Sequence, residues 1–250
     1  MSAVIHCPKA KSCSIVFIVM RLTVDPKLFE QFPELRVGVV VVEGADNAGA
    51  GAEILKLLRL CEREAGEKYG ASALGEMPQI ACWRRAYKSF GANDYRSSVE
   101  ALLRRAIKGD ALPDINPLVN LYNALSLKYL IPFGGEDLSR VEGDIVLGYA
   151  RGDEPCVLIG ETENRPPKQG EIVYKDDAGV LCRRWNWREA DRTKLEKSTT
   201  RAILVCEDLF SESDELAENG CKEALSFAQE FLYAQGRVAV LSETVTEFAD

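Results

Sequence analysis

Histidine is almost missing from this chain: His6 is the single imidazole in 250 residues. Its scarcity excludes Ser-His-Asp hydrolases, Cys-His proteases, His-ligated zinc or iron sites and His-based proton shuttles as the chemistry of the core. Eight cysteines are present, but no two form a C-x-x-C pair. A tetrahedral zinc site needs ligands in close pairs, and a disulfide framework of this size belongs to short secreted chains, so reduced, buried thiols in a cytosolic protein are expected. No long hydrophobic run occurs either. The apolar stretch Ile15–Met20 falls far short of the roughly 20 residues that cross a bilayer. Neither an internal repeat nor a Ser/Gly-rich linker divides the chain.

What remains is ordinary globular material, 46% hydrophobic and 28% charged. Met20 reads as the natural start, with residues 1–19 an upstream extension and 20–250 one compact domain. Arg36–Glu43 (RVGVVVVE) and Arg201–Glu207 (RAILVCE) are β-branched and nearly continuous in apolar character, the mark of buried strands. Further strands are expected at 145–150, 155–159, 171–175, 179–183 and 237–246. Helical spacing of apolar residues predicts helices over 27–31, 52–68, 79–90, 99–108, 118–128 and 213–234. Ser97 or Ser98 supplies the N-cap for the helix at 99–108. Gly134-Gly135 and Asn116-Pro117 read as turns. Strands and helices mix without a regular βαβ rhythm, which predicts an α+β fold.

The net charge of −8 is unevenly spread. Residues 83–108 carry Arg84, Arg85, Lys88, Arg96, Arg104, Arg105 and Lys108 against Asp94 and Glu100. Residues 183–201 are also net basic, whereas 207–250 hold eleven acids against Lys222 and Arg237. A basic face toward phosphates, with an acidic helix turned away, is one reading of this pattern; two solvated helix faces is the other.

The segment from Ser97 runs SSVEALLRRAIKGDALPDINPLVNLYNALSLKYLIPFGGEDLSRVEGDIVLGYA. Through Ile115-Asn116-Pro117-Leu118-Val119-Asn120, Asn123, Pro132, Asp137-Leu138 and Gly143-Asp144-Ile145 it resembles the editing domain of the phenylalanyl-tRNA synthetase β subunit. Thr199-Thr200 to Glu207 resembles the strand that follows a Gly-rich loop in that family. The ordered match covers residues 97–207 and looks like a free-standing branch of the family. Three departures stand out. Gly134 falls where the family has a histidine, Tyr122-Asn123 replaces a Thr-Asn pair, and Cys182-Arg183-Arg184-Trp185-Asn186-Trp187-Arg188 replaces the Gly-rich loop.

The resemblance implies a three-layer sandwich of mixed β-sheets with packed helices. It also implies a trans-acting deacylase that hydrolyses mischarged aminoacyl-tRNA in translation quality control, or a non-catalytic tRNA- or amino-acid-binding module. The ester joining an amino acid to the terminal ribose is already activated, so orienting a water and the vicinal hydroxyl suffices and no histidine is required. On this reading Asn123 and Glu207 are the catalytic candidates, Asn123 holding a water or the carbonyl and Glu207 reading a substrate hydroxyl. Tyr122, Gly134, Gly135, Glu136, Trp185, Asn186 and Trp187 line the substrate pocket. Arg104, Arg105, Arg183, Arg184 and Arg188 meet RNA phosphates, or a carboxylate in fork geometry. Plain structural readings stand beside these: Trp185 and Trp187 straddling a sheet, Asn123 as a satisfied helix amide, Glu207 in a structural ion pair, and Asp46-Asn47 as loop chemistry. A third reading is a pocket for free amino-acid derivatives. The expected partner is the aminoacylated 3′ end of tRNA, with weak self-association; no cofactor, metal or membrane is expected, and the expected location is cytoplasmic.

Overall fold

The computed structural model describes residues 20–49, 51–211 and 213–250. The expected extension at 1–19 therefore lies outside the described residues. In chain order the elements are β1 (Arg21–Val24), α1 (Pro26–Gln31), β2 (Arg36–Glu43), α2 (Ala52–Tyr69), α3 (Pro78–Ser89), α4 (Ser98–Lys108), α5 (Pro117–Tyr129), β3 (Phe133–Asp137) and β4 (Ile145–Tyr149). Then follow β5 (Ile172–Lys175), β6 (Val180–Arg183), β7 (Arg188–Glu189), β8 (Arg201–Asp208), α6 (Glu215–Leu232), β9 (Gln235–Leu241) and β10 (Glu247–Ala249).

The fold is α+β, with two sheets. One is mixed, in the order β10-β1-β4-β5-β6-β7, with β1 and β4 parallel. The other is antiparallel, β3-β8-β2-β9. The apolar runs of β2 and β8 are explained by two covered faces. Val37, Val39 and Val41 of β2, with Ile203 and Val205 of β8, meet Leu22, Ile145, Leu147 and Leu181 of the mixed sheet in one core. The alternate residues Val40, Val42, Leu204 and Cys206 pack against α5 and α6 in a second core. Helices, antiparallel sheet and mixed sheet thus form three layers, while α2, α3 and α4 add Leu58, Trp83, Tyr87 and Leu103 to the flank of the first core.

Several sequence expectations change here. Gly134-Gly135 lies in edge strand β3, not in a turn. Asn116-Pro117 opens a helix: Asn116 caps α5 by accepting from Val119 N at 3.0 Å, and Pro117 occupies its first position. Residues 155–159 form no strand; Leu158 makes only an isolated bridge to Ala190, and Asn164 Oδ1 takes the Cys156 N–H that a ladder would have used. The strand expected at 237–246 spans 235–241, and the short β1 and β10 carry too little local pattern to be expected. Ser97 does hold the N-cap position of α4, but its hydroxyl finds no hydrogen-bond partner and caps nothing.

Candidate functional site

Period-two geometry places the site. On β8, residues 203, 205 and 207 point to one face, and in the antiparallel register Ile203 faces Glu136 and Val205 faces Gly134 on β3. That shared face forms one wall of a cavity of about 370 Å³ between the two sheets. Leu22, Ile145 and Tyr174 of the mixed sheet form the opposite wall, and Ala101 and Leu102 of α4 and Tyr122 and Asn123 of α5 close the flank. The size lies at the lower end of small-molecule sites, roughly 300 to 1,000 Å³. Exposed Arg105 and half-buried Trp187 and Arg188 mark the side facing solvent.

Glu207 is buried at one end of the cavity. The Tyr174 hydroxyl donates to its Oε1 at 2.7 Å, and Asn186 Nδ2 donates to Oε2 at 3.4 Å. The Tyr87 hydroxyl in turn donates to Asn186 Oδ1 at 3.0 Å. Burial nevertheless raises the Glu207 carboxyl to about 8, against the two donors that favour its ionised form. At neutral pH it is thus a mostly protonated acid, able to donate as well as accept.

Glu136 and Glu189 share the cavity. Glu136 is buried and its Oε2 has no hydrogen-bond partner. Glu189 reaches over from β7: a Cβ built on Gly134 would stand 3.3 Å from Glu189 Oε1. Burial raises both carboxyls, the charge of Glu189 raises Glu136 further, and the Gly135 N–H pulls Glu189 partly back. Burial also raises the Cys182 thiol, so no thiolate nucleophile is available at this wall. Among the described residues no group of three or more His, Cys, Asp or Glu is arranged to hold a metal ion.

Local sequence explains the positioning. Ser126 Oγ donates to Tyr122 O at 2.9 Å and accepts from Phe133 N at 3.0 Å, fastening α5 to the start of β3. Asn47 accepts from Leu118 N at 2.8 Å and donates to Glu196 O at 2.7 Å, so it ties down the same helix, as the loop reading of Asp46-Asn47 had it. The link between β6 and β7 turns on Arg184 and Trp185, both left-handed with φ 49° and 67°. The loop between the paired Arg183 and Arg188 is four residues long, closed by Trp187 N donating to Arg183 O at 3.1 Å, and bulky residues in the left-handed region there store strain. Trp185 compensates through complete burial, edge-on to Trp83 at 5.1 Å and Phe32 at 5.2 Å.

Tyr122, Asn123, Gly134, Gly135, Glu136, Trp185, Asn186, Trp187 and Glu207 all line this one cavity. The Asn123 side chain makes no hydrogen bond to another described residue, unlike a helix-fixing amide, and Glu207 bonds Tyr174 and Asn186 rather than an arginine. The two tryptophans divide: Trp185 is core as well as wall, while Trp187 packs on Tyr95 at 4.8 Å nearer the surface. The arginines need correction. Arg183 is buried in a two-pronged pair with Glu171, at 2.5 and 2.9 Å, and also donates to Arg165 O, so it is unavailable to phosphate. Arg184 is nine-tenths buried, its guanidinium lying over the Tyr95 ring at 3.7 Å and the Trp187 ring at 4.4 Å. Arg188 is paired with Glu161 at 2.9 Å, and Arg104 with Glu100 at 2.8 Å. Arg105 alone among the five is exposed at the cavity, donating to Ala111 O.

Sequence reasoning overlooked Glu189, Ser98 and a second groove. Glu189 follows a turn at 184–187, and every residue from 185 to 189 meets the cavity, so no local periodicity placed it. The groove, about 640 Å³, is lined by Arg84, Lys88, Arg96, Arg104 and Tyr95 around the buried carboxylate of Glu100. Burial would raise Glu100, but hydrogen bonds and charges from Arg84 and Arg104 hold it below its usual value. Tyr95 and Tyr87 border this groove and touch Trp187 and Asn186 of the cavity.

The architecture defines an α+β module with a cavity between its two sheets. Within that class, the model of the B3/4 domain, a phenylalanyl-tRNA synthetase β-subunit domain, matches residues 82–215, more than half of the chain. The chain belongs to the B3/4 domain family. It is similar in structure to an N-terminal fragment of the phenylalanyl-tRNA synthetase β subunit from Pyrococcus horikoshii, at 14% identity and a TM-score of 0.44, over 87% of this chain and 49% of that one. It therefore spans about half the length of that fragment. No curated protein matches the sequence.

Proposed function

We propose that this protein binds the aminoacylated 3′ end of tRNA and hydrolyses the ester of a mischarged amino acid in the cavity. The supporting observation is convergence: Asn123 and Glu207, 84 positions apart in sequence, line the same cavity, and a basic groove adjoins it. In the reaction a water adds to the ester carbonyl carbon, the tetrahedral intermediate collapses, and the C–O bond to the ribose breaks. The free amino acid leaves, and the ribose oxygen recovers a proton. The Asn123 amide orients the water or the carbonyl, and confinement removes much of the entropic barrier. Glu207, protonated at neutral pH by burial, reads a polar group on the side chain of the amino acid. Lys88 and Arg96, at the rim of that groove, meet the phosphates of the acceptor end, while Arg84 is held by Glu100 at 2.8 and 3.0 Å.

The test is a panel of mischarged tRNAs offered to the purified protein, with release of amino acid followed against a buffer control. Acceleration for at least one tRNA supports hydrolysis, and no acceleration for any refutes it. Gly134, at the position of the family's histidine, favours a second reading: binding without catalysis. Salt-dependent tRNA affinity with no hydrolysis selects it.

A further inference from the structure

Three carboxyl groups face one mainly apolar cavity, and none of them pairs with a lysine or arginine among the described residues. Glu207 is satisfied by Tyr174 and Asn186. Glu136 and Glu189 are less fully satisfied: Glu136 Oε2 is buried without a hydrogen-bond partner, and the half-buried Glu189 carboxyl, favoured only by the Gly135 N–H, lies over Gly134, two residues along the same strand face from Glu136. A buried acid left unpaired costs stability that a structural role does not recover. Independent of these two, α5 contributes Tyr122 and Asn123, both about nine-tenths buried at the cavity wall and neither hydrogen-bonded through its side chain to another described residue. The groups open to a ligand at this end are therefore two carboxyls, an amide and a phenol, with the unpartnered Thr193 hydroxyl beside Glu136. They lack a compact donor of positive charge.

We propose that Glu136 and Glu189 form a binding site for a primary ammonium group, so that the natural ligand of the cavity is a small amine whose carbon skeleton lies along Ile145, Ile203 and Val205. An ammonium offers three donors, enough for both carboxyls and the Asn123 oxygen. The site takes this cation in preference to a divalent metal, because no third carboxylate or imidazole is gathered with the pair. The ammonium stands where the pair would otherwise hold a proton. Around the pair, Tyr122 comes from α5 and Cys182 from β6, both held neutral by burial. Arg192, whose charge acts on Glu136, is itself bonded to Asp176 at 2.6 Å. Arg188, beside Glu189, is bonded to Glu161. The proposal rests on the deacylase reading only for naming this amine as the α-ammonium of an aminoacyl group.

Calorimetric titration of the full chain with phenethylamine and butylamine, each against its alcohol counterpart (2-phenylethanol and 1-butanol), tests the site. The expected result is a preference of about tenfold or more for at least one amine. Glu136→Gln abolishes that preference without weakening the alcohol, and Glu189→Gln does likewise if Glu136→Gln fails to fold. Amine affinity rises with pH through about 7, as Glu189 gives up its proton. Equal binding of amine and alcohol, no binding of either, or an unchanged preference in the Gln variants overturns the proposal. So does magnesium chloride binding that depends on Glu136, which would make the pair a metal site. Amine binding without tRNA deacylation keeps this site and removes catalysis. Deacylation with no amine preference does the reverse.

Discussion

Glu207 shows how a single buried acid couples function to pH. Its carboxyl titrates near 8, above the ordinary 4.5, because burial outweighs donation from Tyr174 and Asn186. A group whose folded value is raised contributes its full stability below the unfolded value and loses it as pH rises toward the folded one. Glu136 and Glu189 are shifted in the same direction. Unfolding free energy should therefore fall between about pH 5 and about pH 8, by on the order of 1 kcal/mol per pH unit for each acid involved, and Glu207→Gln should flatten that slope. Denaturant titrations across this range measure it; a stability that rises with pH contradicts the burial of these acids. The two glycines of β3 differ as sharply. A Cβ at Gly135 would stand 2.5 Å from Leu204 Cδ2 and 2.9 Å from Ile203 O, whereas at Gly134 it would meet only Glu189 Oε1 at 3.3 Å. Gly135→Ala should cost about 1–3 kcal/mol and Gly134→Ala far less, as thermal melts of the two variants would show. Asn123 and Glu207 were legible as cavity-lining residues from the match of the segments around α5 and β8 to the family's motif. The Glu136–Glu189 pair was not, since its members come from different sheets and meet only through tertiary packing.

At the scale of elements, the β6–β7 hairpin is the part of the site most dependent on its surroundings. Its left-handed Arg184 and Trp185 are held by the Trp83 and Phe32 rings on one side and by Glu171 on the other, which binds the Arg183 guanidinium and accepts from Arg184 N at 3.2 Å. Glu171→Ala leaves a buried arginine unpaired and should destabilise the protein by about 3–5 kcal/mol, read from denaturant midpoints at constant slope. A loss below about 1 kcal/mol would mean the hairpin does not rely on this pair. The long elements were readable from local pattern: β2 and β8 from β-branched runs, α4 and α5 from apolar spacing. The hairpin was not, because its left-handed positions are filled by Arg184 and Trp185 rather than by the Gly, Asn or Asp that signal such backbone. Strand β3 was hidden for the opposite reason. Gly134-Gly135 signals a turn locally, and only the close approach of Leu204 and Ile203 requires glycine within a strand.

Across the whole molecule, the charge asymmetry visible in the sequence resolves into a basic groove beside the cavity. Its basic lining comes from the first segment: Arg84 and Arg104 are paired with Glu100, leaving Lys88 and Arg96 the more available, while the second segment is largely consumed by internal pairs such as Arg183–Glu171 and Arg188–Glu161. Lys88→Ala with Arg96→Ala should weaken tRNA binding and lower the salt slope by roughly one for each phosphate no longer neutralised. Thermal stability should change little, since both side chains are exposed. An unchanged slope by filter binding places the RNA elsewhere. The central claim joins cavity and groove in one reaction, and it is tested most directly by single-turnover deacylation of mischarged tRNAs with wild type and Asn123→Ala side by side. The account predicts that wild type releases at least one amino acid faster than buffer and that Asn123→Ala slows that release by roughly tenfold or more while tRNA affinity is kept. Hydrolysis that is unaffected by Asn123→Ala, or absent from wild type with every tRNA, contradicts it.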